Sequence, residues 1–380
     1  MKVSLLTNSP GELWGWARPV VAEMRRRGHS VSLWLLPCQF ASGRERAAAS
    51  GLGVDKLEGP DGSAHTWRAL AEERADRVVQ LGGDLIFGRR LAARARAPLF
   101  CYAYGFKKGM GHSRVFTAYP RMAEAIDKKL GKTRACVIGD LVKDSLALER
   151  QPFLWDEEKD SPRLLLFPGS RPAIRGLALS WLGEVVRHLR EAAPEIRVRA
   201  LFSPFVPDGE FADWVDAGLN PCRAEPGMAM KSADYALTQP GTNTLEMMHR
   251  GLPALAAAPA DFLRLAPVTG LGGLAAGVPV IGPWIKERAI RRNLERYGGF
   301  MTWPNRIAGR RVLDEISGDV TPRDVARRVA EAVRDKERLN RVRGELLSLS
   351  GPEGAVLRLC DAVEREGRAP DGGCGDESGS

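Results

Sequence analysis

The stretch YALTQPGTNTLEMMHRGLPALAAA, Tyr235–Ala258, holds a strand, a turn, a helix and a second strand in one run. Tyr235–Thr238 and Pro253–Ala258 are short apolar segments bounded by turn residues, the pattern of buried strands. Thr242–Arg250 between them has helical character. A strand followed by a helix and another strand builds a parallel sheet with helices against its faces.

The same alternation extends in both directions. Upstream lie a strand at Arg163–Phe167, a helix at Leu177–Glu191, a strand at Arg197–Ser203 and a helix near Phe211–Ala217. The N-terminal half repeats it, with strands expected at Lys2–Thr7, Ser30–Leu36, Arg77–Leu81, Pro98–Tyr102, Val115–Ala118 and Ala135–Ile138. Leu13, Trp16, Ala17, Val20, Val21 and Met24 recur three and four apart and define one apolar helix face. Pro19 starts or kinks that helix and Gly28 ends it.

The alternation breaks at Gln151–Pro162, an acidic, proline-flanked segment that reads as a linker. The expected organisation is an N-terminal domain at 1–150, a linker at 151–162, a second domain with terminal helices at 163–366, and a disordered tail at 367–380. Both domains read as α/β, Rossmann-like and doubly wound, facing a cleft towards which strand C-termini point. Thr321-Pro322-Arg323-Asp324 marks a helix start, followed by the apolar stripe Val325, Val329, Ala332 and Val333.

Composition narrows the function classes. The 380 residues are 44% hydrophobic and 27% charged, the mixture of a globular chain long enough for two cores. No run approaches the roughly 20 apolar residues of a membrane span, and the N-terminus lacks a cleavable signal pattern. A cytoplasmic protein is therefore expected. Six cysteines without a C-x-x-C pair and five scattered histidines point to reduced thiols and no metal site. The net charge of +9 suits an anionic partner. Phosphorylated substrates or acidic lipid headgroups fit better than nucleic acid, since no nucleic-acid-binding motif appears. Trp284-Ile285-Lys286 with Arg288, Arg291, Arg292 and Arg296 combines apolar anchors with cations, and reads as a charged surface helix or a seat on an anionic membrane.

Four motifs follow strands. Phe167-Pro168-Gly169-Ser170-Arg171 is a small-residue turn whose amides can approach an anion, with Arg171 adding a charge-assisted bond. Gln239-Pro240-Gly241-Thr242-Asn243-Thr244-Leu245-Glu246 offers a helix start and two threonine hydroxyls as a metal-free diphosphate cradle, with Glu246 placed to accept ribose hydroxyls. Gly11-Glu12-Leu13-Trp14-Gly15 brings a close-approach glycine and a carboxylate. Gly82-Gly83-Asp84 places an acidic side chain at a strand end, where it could serve as a general base. Each residue set also fits an ordinary turn or helix cap.

Taken together, these residues resemble the lipid-A-disaccharide synthase family, inverting glycosyltransferases of the GT-B fold. Gly11-Glu12-x-x-Gly15 is similar to the family's N-terminal loop, and Leu166-Phe167-Pro168-Gly169-Ser170-Arg171 to its Leu-Pro-Gly-Ser-Arg turn. Gly241–Glu246 with Gly251-Leu252-Pro253 resembles its Gly-Thr-Ala-Thr-Leu-Glu helix and the Gly-x-Pro after it. Pro304-Asn305-Arg306-Ile307-Ala308-Gly309-Arg310, with Glu315 and Thr321-Pro322, is similar to its Pro-Asn-Leu-Ile-Ala-Gly segment and the stretch beyond.

The resemblance implies transfer of an acylated glucosamine from a UDP donor to a lipid acceptor at the inner membrane face, with no cofactor. It places Gly169, Ser170, Arg171, Gln239, Gly241, Thr242, Asn243, Thr244, Glu246 and Asn305 at the donor, Asp84 and Glu12 as catalytic carboxylates, and Gly11 and Gly15 in the acceptor loop. Three departures fall in the acceptor half. Trp16 stands where the family has a loop aspartate, Ile138-Gly139-Asp140-Leu141 replaces Gly-His-Pro, and Tyr102-Ala103-Tyr104-Gly105-Phe106-Lys107 lacks Pro-Ser-x-Trp-Ala-Trp. A UDP-sugar 2-epimerase of the same architecture and a non-catalytic nucleotide-sugar-binding protein are the competing readings. The sequence also leaves a homo-oligomer open.

Overall fold

A computed structural model describes residues 1–38, 41–155, 161–265 and 298–365. The chain divides into two units, Met1–Leu148 together with Pro352 onward, and Glu149–Gly351.

In unit 1 the strands are β1 (Lys2–Thr7), β2 (Ser30–Leu35), β3 (Lys56–Glu58), β4 (Arg77–Leu81), β5 (Leu99–Tyr102), β6 (Arg114–Thr117) and β7 (Ala135–Val137). They form one sheet in the order β3-β2-β1-β4-β5-β6-β7. Every pair is parallel, with Leu5 opposite Leu33 on one side and Val79 on the other. Val3, Leu5 and Leu6 have no solvent exposure, as a central strand covered on both faces requires.

Unit 2 holds β8 (Arg163–Leu166), β9 (Arg197–Phe202), β10 (Pro221–Arg223), β11 (Tyr235–Thr238), β12 (Ala254–Pro259) and β13 (Asp314–Gly318). Their order is β10-β9-β8-β11-β12-β13, again all parallel. Its core packs Ala178, Leu182, Val185, Val186 and Leu189 of helix Pro172–Ala192 against Val325, Val329, Ala332 and Val333 of helix Pro322–Arg334. Thr321 caps the latter helix, its hydroxyl accepting the Asp324 amide at 3.1 Å.

In each sheet the strand order reverses once, between β1 and β4 and between β8 and β11. Crevices outside strand C-termini at such reversals are where ligands bind in doubly wound folds. All four motifs sit there.

The structure differs from the sequence reading in three places. Helix Pro172–Ala192 starts five residues before Leu177, because Pro172 is pre-set for a first helical turn and Ile174 is buried beneath it. The segment read as a free linker begins inside unit 2. There Trp155 donates to Ser232 Oγ at 3.0 Å, and Arg199 lies over the rings of Phe153 and Trp155. Helix Ala355–Arg365, assigned to the second domain, belongs to unit 1. Asp144 caps it through the amides of Gly354 and Val356, at 2.9 and 2.6 Å. Arg27 binds Asp361 and Glu364 at 2.7 Å each.

No helix among the described residues is long and apolar enough to cross a membrane. The basic segment from Trp284 to Arg296 and the tail 367–380 lie outside the described residues.

Candidate functional site

In unit 2 the turns after β8 and β11 touch. Gly169 has φ +92°, a conformation that side chains rarely adopt, and a Cβ there would lie 3.0 Å from Ile174 Cγ2 and 3.2 Å from Gln239 Oε1. Gln239 Nε2 donates to Pro168 O at 3.3 Å, which staples one turn to the other. The neighbouring strands continue this pairing, with the Phe167 amide on Leu237 O at 3.0 Å. Arg171 is half-buried at the N-cap of helix Pro172–Ala192, with extended backbone (φ −94°, ψ 135°). Ser170 beside it is half-buried.

Beyond Gln239 the chain enters helix Asn243–Arg250 with Gly241 and Thr242 exposed. Thr242 makes no side-chain cap. The amides of Thr244 and Leu245 close onto Gly241 O and Thr242 O at 3.2 and 2.9 Å. Glu246 is half-buried in the first turn. The exposed start of the helix and Arg171 thus flank a glycine-bearing turn at the sheet reversal, an arrangement suited to an anion.

Three of the expected donor residues face inward instead. Asn243 donates its amide to Thr238 Oγ1. Thr244, without solvent exposure, donates to Gly241 O at 2.7 Å and accepts the Trp303 amide at 3.2 Å. Asn305 is likewise fully buried. Its Nδ2 donates to Leu313 O at 2.9 Å and Glu315 Oε1 at 2.8 Å, and its Oδ1 accepts the amides of Val312 and Leu313 at 2.7 and 2.8 Å. With both donors and both acceptor positions taken, Asn305 holds helix Trp303–Ala308 to β13. Glu315 completes that junction by accepting the Thr302 amide and hydroxyl at 2.7 and 2.6 Å.

In unit 1 the turns after β1 and β4 also meet. Ser9 and Glu12 form a reciprocal cap, the Glu12 amide on Ser9 Oγ at 3.3 Å and the Ser9 amide on Glu12 Oε2 at 3.4 Å. The Glu12 carboxylate fills the space that a Cβ on Gly82 would need, and Gly82 has φ +87°. Burial pushes the Glu12 carboxyl above its ordinary range, while Lys107 and the Ser9 hydrogen bonds pull it back. Gly11 is half-buried in the first turn. Gly15 is buried, with Val142 Cγ2 3.0 Å from where its Cβ would stand. Asp84 is exposed and caps helix Leu85–Ala95, accepting the Ile86 amide at 3.0 Å.

Comparison with solved structures adds the larger frame. The UDP-GlcNAc 2-epimerase from Neisseria meningitidis bound to UDP-GlcNAc matches with TM-score 0.58 and 14% identity, over 96% of this chain and 100% of that one. The calicheamicin glycosyltransferase CalG4 matches at 0.54 and 16%, over 97% and 99%. MurG from Acinetobacter baumannii matches at 0.51 and 14%, over 96% and 100%. The fold is GT-B. No protein-family model matches the sequence, and no curated protein matches it.

Within the GT-B units, three residues that support the site escaped the sequence reading. Gln80 is fully buried under the Gly82–Asp84 turn, donating to Gly82 O and Asp84 O at 2.9 and 2.8 Å and accepting the Gly88 amide at 3.0 Å. Lys107 donates to Gly83 O at 2.9 Å. Arg175, 2% exposed, grips Glu210 with two bonds of 2.7 and 2.6 Å and Ser170 O at 2.5 Å, which fixes the Gly169 turn from below. Only Arg175 left a trace in the sequence, one helical turn after Arg171.

Proposed function

We propose that this protein is an inverting, metal-independent glycosyltransferase that moves a glucosamine-type sugar from a UDP donor to a lipid or sugar-lipid acceptor. The observation that carries the reading is the pair of stapled turns at the β8/β11 reversal. Arg171 and the start of helix Asn243–Arg250 there offer a charge and oriented amides to a departing diphosphate. Glu246 accepts the ribose hydroxyls. The Neisseria protein of the same fold binds a UDP-sugar, which supports this donor class. The synthase-like motifs support a lipid acceptor.

In the proposed reaction the acceptor hydroxyl attacks the anomeric carbon as the bond to the diphosphate breaks, and its proton passes to a carboxylate. Glu12 suits that role better than Asp84. Burial raises its carboxyl above its ordinary range, which strengthens it as a proton acceptor, whereas Asp84 is exposed; both carboxylates also accept a cap amide.

A second reading, a UDP-sugar 2-epimerase, draws support from the epimerase's higher TM-score. The deciding experiment incubates the protein with UDP-sugars, with and without total lipid extract. Nucleotide chromatography and mass spectrometry of lipids then follow the products. Transfer yields UDP and a new glycolipid only when lipid is present. A new UDP-sugar formed without lipid establishes the epimerase. UDP binding without consumption refutes both and leaves a binding protein.

A further inference from the structure

The three places where the acceptor half departs from the synthase pattern come together in one buried cluster. Trp16 Nε1 donates to Tyr104 Oη at 3.2 Å, and Tyr104 Oη donates to Asp140 Oδ1 at 2.6 Å. The Trp16 ring meets those of Tyr102 and Tyr104 edge-on, with centroids 5.1 and 4.8 Å apart. Asp140 also accepts Tyr119 Oη at 3.3 Å and the Val142 amide at 3.0 Å, the latter capping helix Leu141–Ala147. Trp16, Tyr104 and Asp140 are 5%, 9% and 1% exposed, so their polar atoms depend on one another.

The same short helix grips the turn that carries Glu12. Leu13–Ala17, directly after Glu12, is a π-helical turn closed by the Arg18 amide on Leu13 O. Continuing that spacing would require an amide at residue 19 for Trp14 O, and Pro19 has none. Ser145 Oγ supplies the missing donor at 2.7 Å, held in turn by Arg18 Nε at 3.1 Å. Val142 Cγ2 stands 3.0 Å from where a Cβ on Gly15 would be, so any side chain at Gly15 would press on this helix. Helix Leu141–Ala147 therefore touches Trp14 through Ser145, Gly15 through Val142, and Trp16 through Asp140 and Tyr104. Single π turns within α-helices, as here between Glu12 and Arg18, are rare and recur at functional sites.

We propose that helix Leu141–Ala147 is a clamp that holds the π turn and thereby aims Glu12, with Tyr104, Asp140 and Ser145 as positioning residues. This rests on the glycosyltransferase reading for its catalytic consequence, but the clamp itself is a property of unit 1. Hydrogen exchange reads the clamp without any turnover. Tyr104→Phe, which removes the hydroxyl between Trp16 and Asp140, raises exchange over residues 13–18 by about tenfold, the equivalent of losing one buried hydrogen-bonded link. Unchanged exchange in that segment overturns the clamp.

A double-mutant cycle then reads its reach to Glu12. Tyr104→Phe lowers kcat by about tenfold with the KM for UDP-sugar unchanged, and by less than about twofold in a Glu12→Gln background, because a residue acting through another adds nothing once that other is gone. Asp140→Asn keeps an acceptor oxygen and restores most of the turnover lost in Asp140→Ala. Equal losses in both Glu12 backgrounds overturn the positioning role while leaving the enzyme reading intact. A wild-type protein that consumes no UDP-sugar refutes the enzyme reading and the role for Glu12, and the exchange result still judges the clamp.

Discussion

Asn305 separates what the synthase resemblance implies from what the fold uses it for. If Asn305 touched the donor, Asn305→Ala would weaken UDP binding and leave stability nearly unchanged. The structure makes the opposite demand. Its side chain carries four hydrogen bonds of 2.7–2.9 Å, one of them to the Glu315 carboxylate, in a fully buried position. Neutral bonds contribute about 0.5–1.5 kcal/mol each and a bond to a charged group about 1.5–3 kcal/mol. Allowing for relaxation and an entering water, Asn305→Ala should cost about 3–5 kcal/mol, at the high end for single substitutions. Urea unfolding followed by tryptophan fluorescence measures the loss, with Trp303 two residues away as a local reporter. Calorimetric titration of the folded variant with UDP should give an affinity within about threefold of wild type, a difference under 1 kcal/mol. A stability loss below about 1 kcal/mol combined with a tenfold weaker UDP affinity would refute the argument and return Asn305 to the donor site.

Further outcomes follow from single sites. Gly169→Ala forces a side chain into φ +92° and against Ile174, so stability should fall by about 1–3 kcal/mol and UDP affinity with it; unfolding and titration together check this. Lys107→Gln removes a cation that lowers the Glu12 carboxyl, so the acid limb of the kcat/KM profile should move to higher pH, and movement to lower pH would contradict the assignment. Glu23 is held at about 2 by hydrogen bonds from Arg26, opposed by burial, and by Arg27. Its folded value lies below the ordinary one of 4.5, so its contribution is present above about pH 4.5 and lost as pH falls towards 2. With Arg26 largely exposed, the loss should be about 2 kcal/mol in urea melts of wild type but not of Glu23→Gln.

The central strands of both sheets were legible because they are short, largely apolar runs bounded by turn residues. Lys2–Thr7 and Tyr235–Thr238 have the bounds the sequence gives them. Among the described strands, the edge strand Ala135–Val137 was legible within Ala135–Ile138, but the other three edges were not. Lys56–Glu58 and Pro221–Arg223 are three residues long with no apolar alternation, and Asp314–Gly318 is largely polar. Such strands exist through their neighbours' hydrogen bonds, which local pattern does not encode. Glycine-bearing turns announced the site, since a tight approach needs Gly82 and Gly169. The residues beneath them did not, because a buried Gln80 or Arg175 looks like any polar residue until its partners are known. Likewise the placement of helix Ala355–Arg365 in unit 1 depends on Arg27 and Asp144, more than 200 residues away in the chain.

Buried polar groups are paired in folded proteins whatever their function, because an unpaired one costs stability. The substituted residues in unit 1 meet that demand by pairing with one another. Trp16 has Tyr104, Tyr104 has Asp140, and Asp140 serves both Tyr119 and the helix amide at Val142. A partly satisfied buried network costs more than an apolar one, so these residues hold together only as a set. The set encloses a turn whose carboxylate remains in a glycine-lined space beside Lys107. A variant that breaks one link should therefore loosen the whole set and, with it, the backbone that carries Glu12.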